Sequence, residues 1–409
     1  MEKEITIGIP RIVHINSKCR LEAPISMFGK EHDLYFEFDE EYAPYVCQER
    51  SDSFVLMLFT LAMYEKANLI CEAPVTEELH YQLTNYQIPI MADAISEYHS
   101  IEIKAPLADE IPCEVNAHVA AFSAGVDSFY TVLSNLHPVQ EKMAITHLIF
   151  NNVGALTKDQ ATSEQIFLEK RTFFEKAAHD LNLPLIAINT NILELLKGYP
   201  DMLTSPDTFK NAGCLYALKR LANIFYWSGS GAKATEITVK YDDMAAYDVL
   251  NTSFISTRDF RMYVFDLNAS RLDKVKYIAN SPIAQKYLSV CDGLNDSTCF
   301  KCTRTMFELY SIGKLDKFSE VFDIQFFYDN LADRIAYSIG DTNEKRHKYS
   351  TESLAECRKN GVKIPIATWF LAYLKYRPLL FFKKKLKDVK FVRQFYEKHD
   401  LRRKLKFQG

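Results

Sequence analysis

The chain has 409 residues, a formal net charge of −4, and a composition that is 48% hydrophobic and 25% charged. This length exceeds what one hydrophobic core usually covers, so we expect more than one domain, and the composition excludes a mainly disordered chain. The N-terminal residues do not have the pattern of a secretion signal, and the longest apolar run, 364–374, is too short to span a bilayer. Nine scattered cysteines favour a reducing compartment, and we expect a cytoplasmic protein.

Residues 1–114 mix short strand-like runs such as ITIGIPRIV and LYFEF with one apolar helical run at 53–67. This pattern predicts a small α+β extension at the N-terminus, without recognisable chemistry.

From residue 115 the pattern alternates between short apolar strands and amphipathic helices, which predicts an α/β domain at 115–320 with a parallel sheet flanked by helices. In its second half we predict a helix at 208–227, a Gly-rich connecting turn at 228–233 and a strand at 235–240. Residues 321–409 are predicted to form a helical C-terminal region.

The stretch FSAGVDSFYTVL, residues 122–133, passes from a buried strand directly into a helical pattern. The turn consists of Ser123, Ala124, Gly125, Val126, Asp127 and Ser128. Small residues here let backbone N–H groups point together at a helix N-terminus, where phosphate binds. The serines add hydroxyl donors, and Asp127 can hold the loop or a Mg²⁺ ion that carries the phosphates. A plain strand-to-helix turn capped by Ser or Asp has the same spacing, so both interpretations stay open.

The turn lacks the Gly-Lys-Ser/Thr ending of the Walker loop and the spaced glycines of the Rossmann fingerprint. FSAGVDS instead resembles the Ser-Gly-Gly-x-Asp-Ser PP-loop of the ATP pyrophosphatases, which split ATP between its α and β phosphates. The resemblance implies an adenine nucleotide alpha hydrolase-like fold with ATP and Mg²⁺ as ligands. Ala124 replaces the first glycine of the motif, which is a mild change provided that its φ stays negative.

A second motif, VCDGLNDSTCFKCTRTMFELYSIGKLDKF, places three cysteines within twelve residues and just ahead of a predicted helix. Cys291, Cys299 and Cys302 have the compactness of a zinc knuckle, and Asp296 is a reasonable fourth ligand because zinc accepts carboxylate oxygen. Water or a distant histidine would also serve as the fourth ligand. Three ordinary buried cysteines, or a redox Cys-x-x-Cys pair, are the alternatives.

The two motifs together resemble 7-cyano-7-deazaguanine synthase and its relatives over residues 117–320. The fourth cysteine of that family stands where this chain has Asp296, and the N- and C-terminal regions are additional. The resemblance implies that ATP activates a carboxylate or amide oxygen of an acceptor as an adenylate, with release of pyrophosphate. Ammonia or another nitrogen nucleophile then displaces AMP. A PP-loop sulfur transferase, or a non-catalytic ATP-binding module in a defence or surface-polysaccharide system, is the alternative.

Catalysis of this kind needs cations where negative charge develops on the phosphates. We select Lys240, Arg271 and Arg304 as catalytic candidates together with Asp127, and Lys274 and Lys301 are further cations in the same motifs.

The resemblance also suggests ligand contacts at the end of the second strand of the predicted sheet. It assigns Asn151, Asn152 and Gly154 to the adenosine, and Lys210 and Asn211 to the substrate side. A strand-ending turn would look the same at 151–154.

The C-terminal residues 375–409 contain thirteen Lys and Arg but only three Asp and Glu, interleaved with aromatic residues. Such a segment suits an anionic membrane surface, a nucleic acid or docking on the acidic remainder of the chain, and of the first two we favour the membrane. The other expected partners are ATP, an unidentified acceptor and a second copy in a homodimer.

Overall fold

The computed structural model of the chain describes residues 3–157, 159–199, 207–229, 237–239, 244–265, 267–291, 293–341 and 343–380. Its strands are β1 Lys3–Ile7, β2 Arg11–Ile15, β3 Lys18–Met27, β4 Lys30–Asp39, β5 Ala67–Cys71, β6 Val75–Thr76, β7 Ile103–Lys104, β8 Leu107–Ala108, β9 Ala117–Ala121, β10 His147–Asn152, β11 Leu185–Thr190, β12 Ala222–Ser228 and β13 Arg261–Phe265.

The α-helices are α1 Asp52–Glu65, α2 Glu77–Gln82, α3 Ile88–Ala94, α4 Val126–Asn135, α5 Gln160–Asp180, α6 Ile192–Leu195, α7 Asp207–Tyr216, α8 Asp248–Ile255, α9 Arg271–Ile278, α10 Pro282–Tyr287, α11 Phe300–Ser311, α12 Ile324–Asp329, α13 Leu331–Ile339, α14 Glu344–Lys359 and α15 Ala367–Leu371. Short 3₁₀ segments lie at Glu40–Tyr45, Glu141–Met143, Met244–Tyr247 and Leu315–Phe318, and π-helical turns at Leu83–Gln87 and Ala372–Tyr376.

The chain divides into two compact units. The first contains the residues up to 123 and those at 131–268, and the second contains 124–130 and the residues from 269 onward. The turn selected from the sequence therefore belongs to the second unit from Ala124 onward. Whether the predicted regions 1–114, 115–320 and 321–409 fold independently stays a prediction.

Within the described residues, the first unit is built on one sheet of eleven strands. Five of them, in the order β13-β12-β9-β10-β11, run parallel. Next to them β4 pairs antiparallel with β11, and β3, β1, β5 and β7 extend the sheet, with β2 paired to β3. The predicted α/β class, with a mostly parallel sheet flanked by helices, is confirmed at this level.

Strand β10 shows how the parallel strands are buried on both faces. Ile149 belongs to the main apolar core, which also contains Phe59 of α1 and Phe209 of α7, whose rings meet edge to face at 4.7 Å. The next side chain, Phe150, contacts Phe174 of α5 with ring centroids 4.8 Å apart. Because successive strand residues point to opposite faces, helices on both sides are required to cover them.

The predicted single helix at 208–227 is wrong. Helix α7 ends at Tyr216, and residues 222–228 form β12, which pairs on one side with β9 and on the other with β13. A short apolar run such as ANIFYWS fits a buried helix or strand equally well by periodicity, and pairing with two neighbouring strands makes it a strand.

The error also changes the context of the Gly-rich segment at 228–233, which follows a strand and not a helix. Residues 230–236 lie outside the described residues, as does Lys240. Of the predicted strand at 235–240, the described residues 237–239 form no strand.

The described part of the second unit, apart from its connecting loops, is helical, as predicted for the chain beyond residue 303. Helix α11 packs against α9, α13 and α14, and α15 packs against α13. None of the helices in the described residues has both the length and the apolar character needed to cross a bilayer.

Candidate functional site

The selected turn joins β9, which ends at Ala121, to α4, which begins at Val126. The condition under which alanine at 124 would be a mild change is not met: its φ is +52°, in the left-handed region, and its methyl group is fully buried. For a residue other than glycine this conformation costs roughly 1–2 kcal/mol. The N–H of Ser289 donates to the carbonyl of Ala124 at 2.8 Å and so helps to hold the turn. The turn therefore has a conformation that glycine adopts most easily.

Asp127, in the first turn of α4, is held by two cations from α9. The Nζ of Lys274 lies 2.8 Å from its Oδ1, and the Nη1 of Arg271 lies 3.4 Å from its Oδ2. The Lys274 side chain is fully buried, whereas that of Asp127 is 30% exposed. Burial alone would raise the pKa of Asp127, but the positive charges of Lys274 and Arg271 outweigh it and lower the pKa. Asp127 is thus a carboxylate that fixes the positions of two cations.

Helix α11 holds Arg271 from the other side. Its Nε donates to Glu308 Oε1 at 3.0 Å and Oε2 at 3.2 Å, and its Nη2 donates to Thr305 Oγ1 at 3.1 Å. Burial disfavours the charged guanidinium, but Glu308 and Asp127 reverse the effect and raise the pKa of Arg271. Arg271 therefore stays charged and fixed between two carboxylates.

Arg304 is the third cation of this group and the least well paired. Its Nε lies 3.9 Å from Glu308 Oε1, beyond hydrogen-bond distance, and has no hydrogen-bond partner among the described residues. Its guanidinium lies over the ring of Tyr349, 4.9 Å from the centroid. Burial and the neighbouring charge of Arg271 lower the pKa of Arg304 to about 10. The side chain is largely buried, and leaving its Nε–H without an acceptor there is costly; such groups concentrate at binding sites.

The cluster as a whole carries excess positive charge. Three cations face two carboxylates, Asp127 and Glu308, so one positive charge is not neutralised within the group. The first N–H groups of α4 add partial positive charge at the same turn, because a helix leaves them without intrahelical partners. The arrangement suits an anionic ligand.

The structure brings together three predicted site residues, Asp127, Arg271 and Arg304. Lys240, the fourth catalytic candidate, lies outside the described residues. Ser123 is exposed in the first unit, and the Oγ of Ser128 donates to the carbonyl of Gly125 at 3.1 Å within the second.

The residues assigned to adenosine lie in the first unit, at the carboxyl end of β10. Asn152 is buried and engaged, since its amide donates to Asn189 Oδ1 and its oxygen accepts from Ser163, both at 2.8 Å. Asn151 donates to Asn211 Oδ1 at 2.9 Å. Gly154 has a φ of +90°, which only glycine adopts readily, so its place in this turn is explained by the backbone.

Asn151 and Asn211 are therefore two predicted residues that the structure brings into contact. Lys210, beside Asn211 in α7, is fully buried and pairs with Asp207 Oδ1 at 3.1 Å. Burial lowers the pKa of Lys210, and Asp207 only partly opposes the effect.

The three cysteines and the aspartate of the second motif lie together just before and within α11. The Sγ of Cys291 lies 3.0 Å from that of Cys299 and 3.1 Å from that of Cys302. Asp296 Oδ1 accepts the backbone N–H of Cys299 at 2.7 Å, which folds the loop back on itself. Hydrogen bonds from the two other thiols lower the pKa of Cys299, the N-cap of α11. Asn295 takes part in holding this loop, because its amide donates to the carbonyl of Leu288 at 2.7 Å.

This group of four side chains could hold a metal ion. One ligand atom from each of Cys291, Asp296, Cys299 and Cys302 lies within 4.8 Å of the others. Sulfurs bound to one tetrahedral zinc lie about 3.8 Å apart, given a Zn–S distance of about 2.3 Å. The three sulfurs already converge on one point, and less than one ångström of widening would admit zinc.

Glu308, Thr305 and Tyr349 are not among the residues predicted from the sequence. Glu308 follows Arg304 by four residues on a predicted helix, a spacing that pairs opposite charges and could have revealed it. Tyr349 is distant in sequence and carries no local signal.

Comparison with known proteins adds nothing to this description: no protein-family model matches the chain, and no curated protein and no solved structure matches it.

Proposed function

We propose that the turn at 123–128 binds the phosphates of ATP and that the protein is a PP-loop enzyme that converts ATP to AMP and pyrophosphate. One observation carries the proposal: Arg271 and Lys274 pair with Asp127, in the first turn of the helix that follows this turn, and Arg304 lies beside Glu308, which also holds Arg271. Excess positive charge in a partly buried site stabilises a polyphosphate far more than the same charge in water.

In the proposed reaction a carboxylate or amide oxygen of the acceptor attacks the α-phosphorus of ATP. The bond from the α-phosphorus to the oxygen bridging it to the β-phosphorus breaks, and pyrophosphate leaves with that electron pair. A nitrogen nucleophile, ammonia in the simplest case, then attacks the activated carbon, loses a proton and displaces AMP. The protein supplies position and charge and no covalent nucleophile, as is usual for transfers of this kind.

The cations and the carboxylate of the cluster have different roles in this proposal. Arg304 and Lys274 neutralise the charge that develops on the departing pyrophosphate. Asp127 acts as a positioning residue, since both of its oxygens already face cations. Mg²⁺ would be carried on the phosphates and would supply further charge neutralisation.

We further propose that the group formed by Cys291, Asp296, Cys299 and Cys302 binds Zn²⁺ as a structural ion. Its chemistry fits, since zinc takes thiolate and carboxylate ligands in closed four-coordinate sites. Such an ion would fix the start of α11, and α11 carries Arg304 and Glu308.

The test is incubation of the purified protein with Mg²⁺ and ATP labelled at the α-phosphate, with and without ammonium and a metabolite extract. We expect labelled AMP with an equal amount of pyrophosphate. Production of ADP, or unchanged ATP in every mixture despite measured ATP binding, would contradict the proposal and favour a non-catalytic binding module.

The matched variants are Asp127→Asn and, as a control, Asp329→Asn, which alters an exposed aspartate of the same unit. Asn keeps the shape of Asp127 but removes the charge that positions Lys274 and Arg271, so AMP formation should fall by roughly 100-fold or more. The control should retain full activity. Thermal unfolding of both variants separates lost chemistry from lost folding.

A further inference from the structure

The last described helix of the chain presents a row of large apolar side chains to solvent. It comprises α15, the π-helical turn Ala372–Tyr376 and helical residues up to 380. The row consists of Ile366, Trp369, Phe370, Tyr373, Leu374 and Leu379, and we call it the apolar stripe. Ile366 is 78% exposed, Leu374 77% and Phe370 64%.

The first five members follow the spacing i, i+3, i+4, i+7 and i+8, which places them on one face of a helix. Soluble proteins seldom leave so many large apolar groups together in water unless the surface binds something.

The outward direction of the stripe is set by how the helix docks on its own unit. Thr368, Ala372 and Tyr376 form the opposite, buried face. The hydroxyl of Tyr376 donates to Asp333 Oδ2 of α13 at 2.6 Å. Gly340 allows the close approach, because a Cβ there would lie only 2.7 Å from the Cβ of Tyr376. The helix is thus anchored by a narrow face, and the apolar stripe faces away from α13.

The sequence that follows is strongly basic. Residues 375–409 hold thirteen Lys and Arg and three Asp and Glu, while the whole chain has a net charge of −4. The chain before residue 375 is therefore net acidic, and in the sequence the positive charge is concentrated from residue 375 onward, overlapping the end of the apolar stripe and continuing beyond it.

From these observations we propose that the apolar stripe and the basic segment after it together bind the surface of an anionic lipid bilayer. The stripe would insert its side chains at the level of the headgroups, and the basic segment would lie on the negative surface. One such signal gives marginal binding, and apolar insertion combined with a polybasic patch gives stable binding.

The pairing of the two features favours a bilayer over other occupants. A nucleic acid would use the positive charges but would leave aliphatic groups such as Ile366 and Leu374 in water. A protein partner or a second copy could cover the apolar stripe without needing thirteen adjacent cations.

The experiment measures flotation of the full chain with vesicles of phosphatidylcholine alone and of phosphatidylcholine mixed with phosphatidylglycerol. We expect binding to the anionic vesicles to exceed binding to neutral ones by roughly tenfold or more and to weaken with salt. Phe370→Glu combined with Leu374→Glu should lower the anionic binding by roughly tenfold, since it places charge in the inserted face. Ile9→Glu, at an apolar position of the first unit that is also exposed, is the matched control and should bind like the unaltered protein.

Trp369 provides a direct readout, because the chain has only two tryptophans and the other, Trp227, lies in β12 of the first unit. The fluorescence of Trp369 should shift to shorter wavelength on anionic vesicles and be quenched by lipids brominated in the acyl chains. Trp369→Phe should abolish this signal while flotation persists.

Three results would overturn the proposal. The first is no flotation with anionic vesicles, and the second is equal flotation of the unaltered protein and the double glutamate variant. The third is a lipid-free oligomer that the double variant converts to a monomer, which would assign the apolar stripe to a second copy. Circular dichroism of the variants confirms folding, and the substituted positions are exposed, so folding should be unaffected.

Discussion

Replacing Arg304 with methionine should stabilise the protein and at the same time remove its activity. Burial and the charge of Arg271 lower the pKa of Arg304 from an ordinary 12.5 to about 10. That difference corresponds to about 3 kcal/mol of unfavourable free energy for the charged form in the folded state. A cation whose pKa is lowered by folding destabilises the protein at every pH below the folded pKa, so the full cost is present at pH 7.

Some favourable interactions would be lost with the guanidinium. Its contact with the ring of Tyr349 contributes about 1 kcal/mol, and methionine replaces much of the apolar stem. The free energy of unfolding should therefore rise by about 1–2 kcal/mol, measured by urea denaturation at pH 7. Under the proposed function, AMP formation should fall by roughly 100-fold or more, because Arg304 would no longer neutralise the charge on the departing pyrophosphate.

The matched control is Arg358→Met, at an exposed arginine of α14 in the same unit. Its unfolding free energy should change by less than about 0.5 kcal/mol and its activity should be unchanged. If Arg304→Met lowers the unfolding free energy by 1 kcal/mol or more, Arg304 is a structural residue and the argument is refuted. Full activity in a stabilised variant would equally remove Arg304 from the site.

Burial raises the pKa of Asp52 to about 6, so between about pH 4 and 6 the folded state holds a proton that the unfolded state has already lost. The free energy of unfolding therefore falls by up to about 3 kcal/mol as pH rises through that window. Asp52→Asn should remove this contribution from the difference between the unfolding free energies at pH 4.5 and 7.5. Asp93→Asn, at an exposed aspartate, should leave that difference as it is in the unaltered protein. Cys299→Ser should lower the zinc content of the purified protein, measured by atomic emission. Cys357→Ala, at a buried cysteine of the same unit, should leave the zinc content unchanged. Equal zinc content in the two variants would exclude the site. Asp296→Cys should strengthen zinc binding in competition with a chelator, since a fourth thiolate completes the ligand set, and weaker binding would exclude position 296 as a ligand.

The parts of the candidate site that lie within one short stretch of sequence could be predicted. The strand, turn and helix around 122–133 and the cysteines at 291–302 lie within short stretches whose spacing carries the information. The left-handed conformation of Ala124 could not be predicted, because alanine gives no sign of a positive φ. Tyr349 could not be found either, since its place beside Arg304 depends on how α14 packs on α11.

The fold was predictable to a similar extent. The alternation of strands and helices indicated the parallel part of the sheet, but the assignment of 208–227 to one helix failed at β12. That strand is defined by its neighbours β9 and β13, which are distant in sequence. The periodicity of a short segment does not indicate which distant strands it pairs with.

The antiparallel pairing of β4 with β11 has a consequence for how the first unit can be divided for expression. Arg171 of α5 donates to both oxygens of Asp39 at the end of β4, and the backbone N–H of Tyr35 donates to Asn191 at 2.9 Å just after β11. The N-terminal strands thus close an edge that would otherwise be an open template for aggregation. An expression fragment beginning near residue 115 would leave the edge of β11 unpaired, so we expect it to aggregate more readily than the full chain.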